Sequence, residues 1–158
     1  MTTDASGTLH PEALRQPPFA AHLGMRIVSA HPDEVVAEMT AVHELLNRNG
    51  TLHGGAVIAI CDNIGGTGAF MNIAPGQGTV TLESKTNFLR SIPAGDIVQC
   101  TSVPLHKGRK TMIWQTTVRR ADGKVAAIVT QTQLVLEDPA FEAPEATTGR
   151  ETPGKEDA

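Results

Sequence analysis

NRNGTLHGGAVIAICDNIGGTGAF, residues Asn47 to Phe70, is the stretch whose reading decides the fold. Asn49-Gly50 is a strong turn dipeptide, and His53-Gly54-Gly55 leads into the apolar run Ala56, Val57, Ile58, Ala59, Ile60. The run is apolar on every side and continues through Ile64, Ala69 and Phe70, so it reads as a helix enclosed by other elements. A sheet must wrap it. Two features are odd for a plain core helix. Consecutive glycines at its start leave backbone N–H groups at the positive end of the helix dipole, a place for an anion or oxyanion. Asp62 puts a carboxylate in the middle of the apolar segment, where an unpaired charge is costly and a functional partner is expected. At about 1.5 Å rise per residue, Gly54 and Asp62 lie roughly 12 Å apart, too far to act on one atom. If both serve one reaction, they come from different subunits, and a two-fold dimer with its helices antiparallel would join them twice.

Working outward, Met1 to Gln16 is polar and weakly patterned, a flexible segment or one short helix. Pro17-Pro18 opens a short helix that Gly24 stops. Met25 to Ala30 and Glu34 to Ala41 read as a hairpin, the second strand placing Val35, Ala37, Met39 and Ala41 on one face. After the helix, Pro75, Gly76 and Gly78 mark a loop. Thr79 to Leu89 follows as a strand, with Val80, Leu82 and Phe88 expected to alternate against Thr81, Glu83, Lys85 and Asn87. Further strands are Asp96 to Leu105, where Pro104 marks a bulge or unpaired edge, Thr111 to Arg120, and Val125 to Leu136. The last two are joined by an Asp122-Gly123 hairpin turn. Val125 to Val129 is apolar on both sides, which hints at a second surface buried by assembly. The architecture is α+β: a long central helix wrapped by a curved antiparallel sheet of five to six strands, spanning residues 17–137. Residues 138–158, rich in Pro, Glu, Thr and Gly, are expected to be a disordered tail.

A chain of 158 residues with 40% hydrophobic residues suits one soluble domain. Its net charge of −4 argues against a nucleic-acid partner recognised by bulk charge. No stretch is long and apolar enough to span a bilayer, and the N-terminus lacks a secretory pattern, so a cytoplasmic location is expected. Cys61 and Cys100 have no paired spacing and read as reduced core residues. The histidines His10, His22, His31, His43 and His106 show no ligand spacing, and no metal is assigned.

Asn47-x-x-Gly50-x-x-His53-Gly54-Gly55 with Asp62 nine residues after the histidine resembles the hotdog-fold acyl-CoA thioesterases of the phenylacetate-pathway type. The similarity runs from Phe19 through Asn87-Phe88-Leu89-Arg90 to about Leu136, and the combined pattern is far more specific than His-Gly-Gly alone. The resemblance implies a homo-oligomer, a dimer or a tetramer of paired dimers, that hydrolyses an acyl-CoA to a free acid and coenzyme A without metal or redox cofactor. It implies that the Gly54 N–H, helped by the Asn47 side chain, forms an oxyanion hole. Asp62 of the neighbouring subunit would attack the carbonyl carbon or activate a water, and Thr81 would position that water. His53 would stabilise the loop and border the site. Arg90 and the basic turn Lys107, Arg109 and Lys110 are the candidates for the coenzyme A phosphates.

Blander readings stand beside these. Asn47 suits a turn cap, Asp62 a carboxylate satisfied by backbone donors, Thr81 an ordinary strand position, and the basic turn a solvated hairpin. Two rival functions share the fold. A hydratase or dehydratase would pair its Asp with a His a few residues later, and none follows Asp62. A non-catalytic acyl-CoA-binding or sensing module would keep the pocket without turnover.

Overall fold

In the computed structural model the enclosed helix of the apolar stretch is α3 (Gly54–Phe70), and everything else described, residues 9–137, is arranged around it. Two short helices, α1 (Pro11–Leu14) and α2 (Pro18–His22), precede strands β1 (Arg26–His31) and β2 (Glu34–Thr40). A single 3-10 turn (His43–Leu45) leads to α3. The chain then meanders through β3 (Gly78–Phe88), β4 (Ile97–Lys107), β5 (Thr111–Arg119) and β6 (Val125–Leu136). These strands form one six-stranded antiparallel sheet in the order β1-β2-β4-β5-β6-β3. The sheet is open. Because β2 lies next to one edge and β3 is the other edge, α3 has to cross the whole concave face to connect them. Among the described residues no helix is long and apolar enough to cross a membrane.

The expected α+β hotdog architecture is therefore present. On β2 the alternation predicted for Val35, Ala37 and Met39 is seen as three buried side chains separated by half-buried ones. They meet Ile60, Cys61 and Ile64 of α3, with Val98, Val118 and Val129 completing the floor. Each fully buried aliphatic side chain of this kind contributes roughly 1.5–3 kcal/mol. The folded unit takes in residues before Pro17, since Ala13 of α1 is buried in the same core. The flexible-segment reading of 1–8 and the tail reading of 138–158 concern residues outside those described.

Two expectations change. The predicted phase of β3 is broken by a bulge: Thr81 pairs with Gln133 but Glu83 with Thr132, so Leu82 is the extra residue. Val80 and Leu82 accordingly lie exposed, while Thr81 before the bulge and Phe88 after it both face α3, seven residues apart. Similarly, Ala126 and Ala127 are both buried within the single chain because the β5–β6 register shifts between Val118 and Arg119. Part of the apolar run thus has an explanation that needs no assembly. The bulge foreseen at Pro104 is present, the register shifting between Pro104 and His106.

Glycines inside α3 set how closely it lies on the sheet. A Cβ at Gly68 would come 2.6 Å from two ring atoms of Trp114, which is fully buried beneath it. Gly68→Ala therefore tests packing against propensity. Alanine is the better helix former by about 1 kcal/mol, but forcing a methyl into a filled core costs roughly 1–3 kcal/mol. The clash involves a rigid ring with nowhere to go, so net destabilisation of about 1–2 kcal/mol is expected in urea unfolding. A stabilised variant would show that the ring has room to retreat.

Candidate active site

The loop before α3 is built by Asn47. Its Oδ1 accepts from the N–H groups of Asn49 (2.9 Å) and Thr51 (3.4 Å), and its Nδ2 donates to Thr51 Oγ1 (3.0 Å). Gly50, at φ +74°, makes the reversal. Asn47 therefore does hold a turn, yet Nδ2 has two hydrogens and this turn uses one. His53 follows as the N-cap of α3, its Nδ1 accepting from Gly55 N–H at 2.9 Å. That nitrogen is occupied as an acceptor and holds the loop. Ala56 and Val57 N–H both bond to the His53 carbonyl. The Gly54 N–H is left over: among the described residues it makes no hydrogen bond.

Gly54 opens onto a groove of about 390 Å³ that Asn47, Phe88 and Arg90 also line. The Phe88 ring lies against it, 3.0 Å from where a Cβ would stand. Arg90 donates from Nη1 to the Val125 carbonyl (2.6 Å), which anchors its guanidinium at the groove's rim.

Asp62 is on the same helix, eight residues and about 12 Å further along. Its side chain is half-buried, and Oδ1 accepts a 2.8 Å hydrogen bond from Thr81 Oγ1 of the same chain. Thr81 in turn accepts from Gln133 Nε2 at 2.7 Å. Gln131 Nε2 donates to the Asp62 backbone carbonyl at 3.2 Å. Among the described residues no cation pairs with this carboxylate, and Oδ2 makes no hydrogen bond. It is a carboxylate held by one oxygen with the other available.

Of the residues picked out by sequence, Asn47, His53, Gly54 and Arg90 are gathered at the start of α3, and Asp62 and Thr81 at its middle. The basic turn is brought to neither. Lys107 Nζ contacts Asp33 Oδ1 and Asn72 Oδ1 (3.2 Å), beyond the far end of α3, roughly 24 Å from Gly54 along the helix. The hydrogen bond from Lys107 holds the exposed Asp33 carboxyl below its usual range. Arg109 and Lys110 are exposed at the same end. Cys61 is no nucleophile: its hydrogen bond with the Cys100 side chain, together with burial, pushes the thiol well above its ordinary value.

Sequence reasoning missed Gln131 and Gln133. The signal was present, because both continue the inward-facing series Ala127, Val129 on β6, where an amide must have a purpose or a partner.

The thioesterase superfamily profile matches residues 49–127, which include the Gly54 helix start, Asp62 and Thr81. The chain belongs to the thioesterase superfamily and is, by class, a thioester hydrolase. A Mycobacterium tuberculosis protein carrying a provisional esterase name is 32% identical over 113 residues, covering 70% of this chain and 80% of that protein. Its solved structure superposes with a TM-score of 0.73 at 30% identity over 77% of this chain and 98% of that one. A Streptococcus mutans protein solved with acetyl CoA bound is 31% identical, with a TM-score of 0.66 over 70% of this chain and 87% of that one. The PaaI protein from the phenylacetic acid degradation operon of Escherichia coli, at 22% identity, shares the fold with a TM-score of 0.72 over 80% of this chain and 95% of that one.

Proposed function

We propose that this chain is an acyl-CoA thioesterase that works as a two-fold homodimer, alone or paired into a tetramer, with each active site shared between two subunits. One observation carries the reading: a single helix holds an unused N–H at Gly54 and a carboxylate at Asp62 with one oxygen unused, about 12 Å apart. Separately neither half hydrolyses anything. Antiparallel pairing of two such helices makes two complete sites.

The β3 edge, one of the two free edges of the sheet, is where that pairing belongs. On β3, Val80 and Leu82 are 43% and 58% exposed, and an unpaired apolar edge is a template for another strand. In the assembled site the thioester carbonyl oxygen accepts from Gly54 N–H and from the second Nδ2 hydrogen of Asn47. By one route Asp62 of the partner subunit takes a proton from a water that attacks the carbonyl carbon, and returns it to the sulfur as the carbon–sulfur bond breaks. By the other it attacks the carbon itself, expelling the coenzyme A thiolate and forming a mixed anhydride; water then hydrolyses this to the free acid, restoring the carboxylate and supplying the thiol's proton. Thr81 holds the carboxylate and borders the water, and His53 keeps the loop in place. Hydrolysis is redox-neutral and needs no cofactor beyond the coenzyme A of the substrate. Arg90 lies where it can meet the phosphates. On the same antiparallel pairing the partner's basic turn, with Lys107, Arg109 and Lys110, comes past that end of the groove, roughly 12 Å along the helix beyond its Asp62. The Streptococcus mutans relative, solved with acetyl CoA, supports a coenzyme A thioester as the substrate class.

The test is thiol release from short, medium and aromatic acyl-CoAs, with the mass in solution measured on the same sample. Turnover of at least one acyl-CoA by a dimer or larger species is expected. Acyl-CoA binding with no turnover, or an active monomer, would sink the reading.

A further inference from the structure

We infer that Gln133 is a positioning residue, fixing the direction of the hydrogen-bond relay that holds Asp62; this rests on the reading of Asp62 as the catalytic carboxylate. Gln133 is buried to within 1% of full enclosure and faces α3 from β6, opposite Thr81 in register. Its Nε2 donates to Thr81 Oγ1 at 2.7 Å, and Thr81 Oγ1 donates to Asp62 Oδ1 at 2.8 Å. A hydroxyl has one proton. With an N–H pointed at its oxygen, that proton is directed to the carboxylate. Were the amide reversed, Thr81 would donate to Gln133 and Asp62 would lose its donor. The glutamine therefore fixes which way the relay runs and keeps the Thr81 proton on Asp62 Oδ1, leaving Oδ2 for the substrate.

A second amide supports this. Gln131, the next inward position on β6, donates to the Asp62 backbone carbonyl, and it reaches there because Gly65 has no Cβ; one would stand 2.6 Å from the amide. Gln131 Oε1 is buried without a hydrogen-bond partner among the described residues. An apolar residue would fill this space without leaving a buried carbonyl unpaired, so packing alone does not account for the amide. Two adjacent inward glutamines thus hold the side chain and the backbone of one aspartate. The bulge at Leu82 lies immediately after Thr81, ending the pairing phase that puts Thr81 opposite Gln133.

The experiment is a double-mutant cycle with Gln133→Met and Thr81→Val, read as kcat and KM for the acyl-CoA the wild type turns over best. Gln133→Met is expected to lower kcat about tenfold with KM unchanged, since it loosens the carboxylate and not the substrate site. The double variant is expected to be no slower than Thr81→Val alone, because Gln133 acts through that hydroxyl. Additive losses, or a rise in KM with kcat intact, would overturn the inference. A readout without turnover is the side-chain amide NMR signal of Gln133 in wild type and in Asp62→Ala, which takes away the acceptor of the Thr81 hydroxyl. The relay predicts that it moves although Thr81 stands between the two side chains, and an unmoved signal rejects the relay even if Gln133→Met fails to fold. If Asp62→Asn keeps full turnover while the signal moves in Asp62→Ala, the catalytic reading fails and the relay survives.

Discussion

Asp62→Asn is expected to cut kcat for acyl-CoA hydrolysis by about three orders of magnitude, the scale of losing a nucleophile or general base. KM should change by less than about threefold, because the groove at Gly54 is untouched. The substitution is clean for a structural reason. Thr81 donates to Asp62 Oδ1, and an asparagine keeps an oxygen there to accept the same bond. No cation among the described residues loses a partner when the charge disappears. The fold and the assembly should therefore survive, to be checked by thermal unfolding and by mass in solution. A variant with more than about a tenth of wild-type turnover would move the chemistry away from Asp62.

How far the sequence reaches is best judged at particular residues. The helix was legible because an apolar run flanked by Asn49-Gly50 and three-residue loop signals has few other solutions, and β2 because its alternation is unbroken. The Ala121–Lys124 turn was legible because Asp-Gly chemistry is local: Gly123 sits at φ +79° as such turns require. Where the chain departs from period two, legibility ends. Nothing local marks Leu82 as an extra residue, so the true face of Phe88 could not be read, and it is that face which puts a ring against Gly54. Nor does proximity in sequence say which end of a 17-residue helix a hairpin reaches, which is why Arg90 and Lys107 were grouped and the structure separates them. Gln131 and Gln133 needed a three-dimensional partner to become meaningful. Their pattern was visible, but only register with Thr81 and contact with α3 show what they hold.

Gly54→Pro is expected to lower kcat by about 10²–10³-fold while leaving the fold nearly as stable as before. Gly54 is the first residue of α3, where proline's fixed φ suits the helix and its missing N–H is one that α3 does not use. His53 before it is already extended, at ψ 136°, as a residue preceding proline must be. The nearest side-chain atoms to a Cβ at this position belong to the Phe88 ring, at 3.0 Å, and that ring is 55% exposed. The substitution thus deletes one hydrogen-bond donor at the position where the carbonyl oxygen would gather charge. It also makes the shared site testable. If each site takes Gly54 from one chain and Asp62 from the other, a mixed dimer of Gly54→Pro and Asp62→Asn subunits contains one doubly damaged site and one with both groups intact. Mixing two inactive proteins should then restore about half of the wild-type rate per heterodimer. If instead each chain contained a whole site, both sites of the heterodimer would be broken and mixing would restore nothing.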